Sequence, residues 1–182
     1  MASPFRPALD LLAQYAEHHR DRRNIVTHFV GVPMIVFAVG VLLARPSFVL
    51  AGLALTPAWV VFALAALWYV SRGRLGIGVA TAGAVGLLIA LAHQASAGAS
   101  VGTWLAWGLG FFAVGWMIQF VGHYYEGRKP AFADDLVGLL VGPMFVVLEL
   151  LALAGFFKGL VAEVEGRAGP TRVRDLAHPV AR

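Results

Sequence analysis

The chain has 182 residues, of which 59% are hydrophobic and only 13% are charged, and its net charge is +4. This composition excludes a disordered chain, which needs low hydrophobicity and high charge, and predicts a small integral membrane protein in a lipid bilayer. The absence of cysteine excludes disulfides, thiolate metal sites and iron–sulfur clusters. Basic loops that face the cytoplasm account for the positive charge of a membrane protein, so we expect no nucleic-acid partner.

Residues 1–24 predict an amphipathic helix that lies at the membrane interface. Pro7 suits the first turn of such a helix, because its missing N–H is not needed there. The residues that fall on one shared face are Leu11, Leu12, Tyr15 and His19. Asn24 then stands where a cap for the first spanning helix is expected.

Five apolar runs follow, each close to the roughly 20 residues that a helix needs to cross a bilayer. The runs are Ile25–Ala44, Phe48–Val70, Leu75–Ala92, Thr103–Val121 and Leu136–Phe157. Their length and their lack of strand-like alternation predict an all-α membrane protein. We expect one membrane domain over residues 1–158 and a flexible, basic tail over residues 159–182.

The basic residues predict the orientation and the number of crossings. They gather in the N-terminal segment and in loops 71–74 and 122–135, so the positive-inside rule places this side in the cytoplasm. Five crossings would put the basic tail outside, whereas four crossings and a broken or re-entrant fifth run would return it to the cytoplasm. We favour four transmembrane helices plus this fifth element, because the fifth run contains Gly138, Gly142, Pro143 and Glu149.

Three of the six histidines are expected to meet at one membrane face. His19 ends the interfacial helix, His28 lies about one turn inside the first run, and His123 follows the fourth run, which returns to the same side. The other three are His18, which points about 100° away from its neighbour if helical, His93 at the opposite end of the third run, and His178 in the tail.

A polar stripe is predicted at the end of the fourth run. Its residues, at spacings of three, four and three, are Trp116, Gln119, His123 and Glu126. A histidine and a glutamate three residues apart on one helix face can bind the same metal. The alternative is an interfacial helix end with a solvated histidine and glutamate and a tryptophan of the aromatic belt.

Neutral imidazoles with a carboxylate suit iron(II), zinc or manganese, and three histidines with open positions favour a catalytic over a structural site. A di-iron hydroxylase would need more histidines than this face offers, and no pattern requires that two of them clamp a haem. Glu149 is the one charged residue in the five runs. Three states are expected for such a residue: it is protonated, it pairs with a basic residue, or it accepts a hydrogen bond from a metal-binding histidine.

Two motif blocks give these residues a family resemblance. The first is Y-x3-H-x4-N-x3-H-x2-G-x-P over Tyr15–Pro33, and the second is W-x2-QF-x-GH-x2-E-x3-P over Trp116–Pro130. The pairs Asp135-Leu136 and Gly142-Pro143, and then Glu149, follow. Over residues 8–157 the chain resembles the small membrane family of iron(II)-dependent 2-hydroxy fatty acid dioxygenases, whose fungal member resides in the endoplasmic reticulum and acts in phytosphingosine catabolism.

The resemblance implies that the chain uses iron(II) and dioxygen to cleave the C1–C2 bond of a 2-hydroxy fatty acid, which becomes one carbon shorter. His19, His28 and His123 would bind the metal, with Glu126 as fourth ligand or as an acceptor behind a ligand. Tyr15, Asn24 and Gln119 would form hydrogen bonds around the site. The side chains that would attract the substrate carboxylate are Arg22, Arg23, Arg128 and Lys129, for which ordinary positive-inside charge is the alternative.

Two other classes of function stay open at this stage. One is a non-catalytic lipid-binding or scaffolding membrane protein. The other is a small proton-coupled transporter built on the fifth run and Glu149, which would have to form a homo-oligomer. The Ala- and Gly-rich composition indicates a bacterium with a GC-rich genome, and hence the inner membrane, with the site facing the cytoplasm.

Overall fold

The computed structural model describes residues 5–50, 52–128 and 136–176. Its helices are α1 (Ala8–Ala16), α2 (Arg22–Ala44), α3 (Pro57–Val70), α4 (Leu75–Ser96), α5 (Val101–Leu105), α6 (Phe111–Glu126), α7 (Gly138–Leu153) and α8 (Lys158–Ala168). Strands β1 (Phe48–Leu50) and β2 (Leu53–Leu55) form an antiparallel hairpin. One π-helical turn, Ala106–Gly110, joins α5 to α6 in a continuous helix.

Three helices are long and apolar enough to cross a membrane within the described part of the chain. They are α2 with 23 residues, α4 with 22, and the continuous α5–α6 helix with 26. These helices confirm the first, third and fourth predicted runs as helices, with ends that extend a few residues further.

The second predicted run does not form one long helix. Its first part is the β1–β2 hairpin, which turns at Gly52 with a φ of 79°, and its second part is α3, with 14 residues. Pro57 is well placed to start a helix, while the residue before a proline is biased to the extended conformation that Thr56 adopts. At 1.5 Å per residue α3 covers about 21 Å, less than a bilayer core of about 30 Å. The fold is therefore not purely helical. Of the described helices, three have the length of a bilayer span by themselves, and the count of four crossings stays a prediction.

The fifth run forms α7, a continuous helix of 16 residues with Pro143 inside it, so within the described residues this helix is not broken, while the re-entrant alternative stays open. Near its start, the carbonyl of Leu140 accepts a hydrogen bond of 3.0 Å from the Tyr69 hydroxyl. Just after its end, the Phe157 ring lies 3.2 Å from where a Cβ on Gly76 would be. Tyr69 and Gly76 flank the α3–α4 turn, so both ends of α7 contact the same end of the bundle.

The N-terminal helix is covered by protein. In α1, Leu11, Leu12 and Tyr15 are buried, and the helix packs against α7 and α8. Its apolar face is therefore occupied by α7 and α8 instead of lying open to lipid as expected. Asp21, not Asn24, caps α2, because the Asp21 side chain accepts a hydrogen bond from the Arg23 N–H.

The C-terminal segment differs from the predicted flexible tail over its described part. Helix α8 buries Leu160 and Val164, which explains why it packs against the protein. Beyond it the chain pairs with the segment before α2: the Arg22 N–H donates to the Arg172 carbonyl, and the Arg172 N–H donates to the Arg20 carbonyl, both at 2.8 Å. We call residues 169–174 the C-terminal strap. His178 and the rest of residues 177–182 lie outside the described residues.

Candidate metal centre

Close packing of α2 against α6 brings two distant histidines together. A Cβ on Gly31 of α2 would lie 2.9 Å from the Gly115 carbonyl oxygen of α6, and a Cβ on Gly122 would overlap the Asn24 side-chain oxygen. Side chains at these glycines would push the helices apart. The absence of a Cβ therefore lets His28 of α2 approach His123 of α6.

The three predicted histidines form one buried cluster. Potential ligand atoms of His19, His28 and His123 all lie within 4.8 Å of one another. The ring centroids are 4.5 Å apart for His19 and His28, 5.0 Å for His19 and His123, and 5.3 Å for His28 and His123. This group can hold a metal ion, and the prediction that these three histidines converge is confirmed by the geometry.

Backbone carbonyls orient two of the rings. Nδ1 of His19 lies 2.7 Å from the Tyr15 carbonyl, and Nδ1 of His28 lies 2.8 Å from the Asn24 carbonyl. A carbonyl only accepts, so both Nδ1 atoms carry the proton and both Nε2 atoms present a lone pair. Burial, with the neighbouring His28 and His123, lowers the pKa of His19 well below its usual range, so this imidazole is neutral and competent as a ligand.

The ring nitrogens of the three histidines are arranged as in a metal-binding group. Nδ1 of His123 is buried and has no hydrogen-bond partner within the described residues. Histidines that bind metals typically give their other ring N–H to a carbonyl or carboxylate, as His19 and His28 do. Three neutral imidazoles form a donor set that suits iron(II), and three protein ligands leave coordination positions open.

Aromatic rings complete the wall behind His19. The Tyr15 ring stacks on His19 with centroids 4.0 Å apart and planes 5° apart, and the Phe145 ring lies 5.6 Å from His19. Burial raises the pKa of Tyr15, so its hydroxyl stays protonated. Nothing in the sequence singles out Phe145, because it is one of many apolar residues in its run.

Glu126 contacts the turn before α2 and does not belong to the histidine group. Its Oε2 accepts hydrogen bonds from the Asp21 N–H at 2.7 Å and from the Asn24 side-chain amide at 3.2 Å. Glu126 is thus an acceptor that ties α6 to the segment carrying His19 and His28. The structure adds Asp21, which lies four residues before the first apolar run and takes the capping role predicted for Asn24.

A cavity of about 70 Å³ adjoins the histidines, lined by Tyr15, His28, Trp116, Gln119 and His123 among others. Trp116, Gln119 and His123 therefore share a face of α6, as the stripe predicted. Both polar atoms of the Gln119 amide are buried without a hydrogen-bond partner within the described residues. An unpaired buried amide is costly, so Gln119 marks a place where a polar ligand would be stabilised.

The basic residues lie elsewhere. Arg23 forms an ion pair of 2.8 Å with Asp21, and Arg128 donates to the Glu17 carbonyl at 2.9 Å. Arg22 and Glu149 line a different cavity, of about 530 Å³, between α2, α7 and the C-terminal strap. The described arginines are therefore not in the wall of the histidine cavity, contrary to the expected carboxylate-binding role, and Lys129 lies outside the described residues.

His93 is separate from the cluster, as predicted. Its Nε2 lies 2.9 Å from the Thr56 hydroxyl, and its ring stacks on Trp59 with centroids 5.1 Å apart. This histidine therefore links α4 to the start of α3 at the other end of the bundle.

The fold and the site define a class: a helical protein with membrane-length helices and a buried three-histidine candidate metal centre. The chain belongs to the Mpo1-like family, since the family model described as 2-hydroxy-palmitic acid dioxygenase Mpo1-like matches residues 5–153. It is similar to the 2-hydroxy-palmitic acid dioxygenase MPO1 of Saccharomyces cerevisiae, with 33% identity over 164 residues, 86% of this chain and 88% of the yeast protein. No solved structure matches the chain.

Proposed function

We propose that this protein is a membrane-bound, iron(II)-dependent dioxygenase that cleaves the C1–C2 bond of 2-hydroxy fatty acids. The observation that carries the proposal is the buried group of His19, His28 and His123, with ligand atoms within 4.8 Å of one another, in a chain of this family. A purely scaffolding protein does not require a three-histidine group that leaves coordination positions open. Oxygenase chemistry is consistent with three neutral ligands and open positions.

The proposed reaction balances with one molecule of dioxygen. The substrate RCH(OH)COOH and dioxygen give RCOOH, carbon dioxide and water. The C1–C2 bond breaks, C2 is oxidised from an alcohol to a carboxylic acid, C1 leaves as carbon dioxide, and dioxygen is reduced. The hydroxy acid supplies all the electrons, so no separate reductant is needed.

Each residue at the site has a proposed part. His19, His28 and His123 would hold iron(II), which when bound would coordinate the hydroxy acid and pass electrons to dioxygen. The Gln119 amide, whose nitrogen and oxygen both lack partners in the described residues, would orient the carboxyl and hydroxyl groups of the substrate. Tyr15 would keep its hydroxyl proton as a donor at the cavity wall.

The position of the site suits an amphiphile. His28 and His123 lie near the ends of two membrane-length helices, α2 and α5–α6. A fatty acid would reach this level with its carboxyl group while its chain stays in the apolar layer. The Ala- and Gly-rich composition supports a bacterial inner membrane as its location, and the loop charges support an orientation with the histidine end facing the cytoplasm.

The proposal is tested with the purified full-length protein in detergent or nanodiscs. The metal content is measured by elemental analysis, and oxygen uptake is recorded with 2-hydroxypalmitate and, as control, palmitate. We expect bound iron, oxygen uptake with the hydroxy acid alone, and pentadecanoic acid as product. Iron-loaded protein that consumes no oxygen with 2-hydroxypalmitate, or full activity with zinc in place of iron, would contradict the proposal.

A further inference from the structure

A second cavity, of about 290 Å³, continues from the histidine cavity into the bundle. The two cavities share five lining residues: Ile35, Val36, Trp116, Leu139 and Pro143. The shared wall means that the small cavity at the histidines and the larger cavity lie directly beside each other.

The larger cavity is apolar over its described lining, which contains no charged residue. Tyr69 is one of its few polar residues, and its hydroxyl already donates to the Leu140 carbonyl at 3.0 Å. Ordered water needs two or more polar partners, so this space does not favour water. Its chemistry favours a hydrocarbon occupant.

The cavity has the length of a fatty acyl chain. Its lining on α2 reaches from Ile35 to Leu43, about 12 Å at 1.5 Å per residue. His28 lies further along the same helix, and the distance from His28 to Leu43 is about 22 Å. One leaflet of the apolar bilayer core, which a lipid acyl chain spans, is about 15 Å thick. An acyl chain of about 15 Å with its carboxyl group at the histidines would therefore extend well into the cavity, and a chain of about 22 Å would reach Leu43.

The wall of the cavity is partly open at membrane level. Val61, Phe112 and Leu139 line it and are 50%, 38% and 48% exposed. They belong to α3, α6 and α7, three different helices that surround the opening. A lipid-dissolved chain can enter sideways here without passing through water.

We propose that this cavity binds the acyl chain of the substrate and that its far end, formed by Leu43 and Ala58, sets the accepted chain length. The inference rests on the proposed function for the identity of the substrate. An amphiphile fits because the space has an apolar body and one polar end, where the Gln119 amide and the histidines lie. A second protein helix does not fit, since a helix with its side chains is about 10 Å wide.

The test uses a pair of neighbouring residues on α3. Ala65 lines the cavity, whereas Leu64 is 64% exposed and lies outside the lining. The full-length Ala65→Phe and Leu64→Phe variants are compared with the wild type under nitrogen, where no dioxygen is present for turnover. Equilibrium binding of 2-hydroxypalmitate and 2-hydroxyoctanoate is measured for each.

We expect Ala65→Phe to weaken 2-hydroxypalmitate binding by about fourfold for each methylene that no longer fits, and to leave 2-hydroxyoctanoate binding unchanged. Leu64→Phe should bind both acids like the wild type. Equal ratios of the two affinities in all three proteins would overturn the inference. A second variant, Leu43→Ala, guards against misfolding of the first and should shift the preference towards chains longer than palmitate; an unchanged preference in it would also overturn the inference.

Oxygen uptake in air is measured separately from equilibrium binding. Chain-length-dependent binding that responds to Ala65→Phe, without oxygen uptake, would support the acyl cavity and contradict the dioxygenase proposal. Oxygen uptake with 2-hydroxypalmitate would support the proposed function. If the affinities for the two hydroxy acids are at the same time unchanged in Ala65→Phe and Leu43→Ala, the acyl cavity is contradicted.

Discussion

The Nε2 atoms of His19 and His28 face each other at 3.0 Å, while the Nδ1 atoms of both rings are hydrogen-bonded to backbone carbonyls. Two lone pairs at this distance repel unless a cation or a proton lies between them. Burial and the low pKa of His19 disfavour the proton. The arrangement therefore suits a metal ion bound between the two nitrogens.

Replacing His28 by alanine should remove the bound metal. The variant loses one of three ligands, and we expect its iron content to fall to background and oxygen uptake with 2-hydroxypalmitate to disappear. Elemental analysis of the purified protein checks this. The matched control is His93→Ala, which changes a histidine at the other end of the bundle and should keep its iron. Equal iron in wild type and His28→Ala would show that the cluster does not hold the metal.

Replacing Glu126 by alanine should destabilise the protein and weaken metal binding. The change leaves the buried Asp21 N–H without its acceptor and removes one of the two acceptors of the Asn24 side-chain amide, at a cost of about 1–3 kcal/mol. Because these groups hold the segment between His19 and His28, we expect iron affinity to fall roughly 10- to 100-fold. Thermal unfolding and competition with a chelator measure the two effects. Glu163→Ala, at an exposed ion pair with Arg74, is the control and should change neither.

Replacing Gly31 by alanine should disturb the α2–α6 contact. The new Cβ would lie 2.6 Å from the Gln119 side-chain nitrogen and 2.9 Å from the Gly115 carbonyl oxygen, so we expect a destabilisation of about 1–3 kcal/mol. The KM for 2-hydroxypalmitate should rise, because Gln119 has to move. Gly83→Ala, where the structure shows nothing within 4 Å of the new Cβ, should be neutral or slightly stabilising. Unfolding curves that show the same stability for both variants would contradict this packing argument.

Removing the C-terminal strap should loosen the turn that carries His19. A chain that ends at Ala168 loses the backbone hydrogen bonds between Arg172 and the segment Arg20–Arg22, and the bond from Arg20 to the Gly169 carbonyl. We expect a lower Tm, by an amount that corresponds to about 1–3 kcal/mol, and faster loss of iron to a chelator. A chain that ends at Leu176 keeps these bonds and should match the full-length protein. If both truncations lose iron at the same rate, the strap has no role at the site.

The sequence predicted much of the architecture because bilayer spanning imposes a strong local rule. The run Ile25–Ala44 forms α2, and two further runs form α4 and the α5–α6 helix. A helix satisfies all backbone hydrogen bonds of a single segment within lipid. The rule fails at Phe48–Val70, where Gly52 and Pro57 divide the run into a hairpin and a short helix. Hydropathy does not register such turn signals, since the residues on both sides of them are equally apolar.

The structure of the C-terminal segment also could not be predicted from composition. Its basic, Gly/Pro-punctuated composition is typical of a mobile segment, but the structure has α8 and the strap there. The strap pairs with the chain before α2 through backbone groups of Arg20, Arg22 and Arg172, which every sequence possesses, and through side chains such as Arg20, which donates to the Gly169 carbonyl. Composition cannot reveal this pairing, because it depends on which distant segments the tertiary structure brings together.

By itself the sequence determined that the chain is apolar enough for a membrane, and that His19, His28 and His123 lie at the same end of its helices. Helix direction reverses at each crossing, so this follows from position along the chain. Only the tertiary structure decided that their ligand atoms meet within 4.8 Å, and that Glu126 contacts Asp21 and not the cluster. These contacts join segments about 100 residues apart and depend on how closely α2 and α6 pack, which local patterns of sequence do not contain.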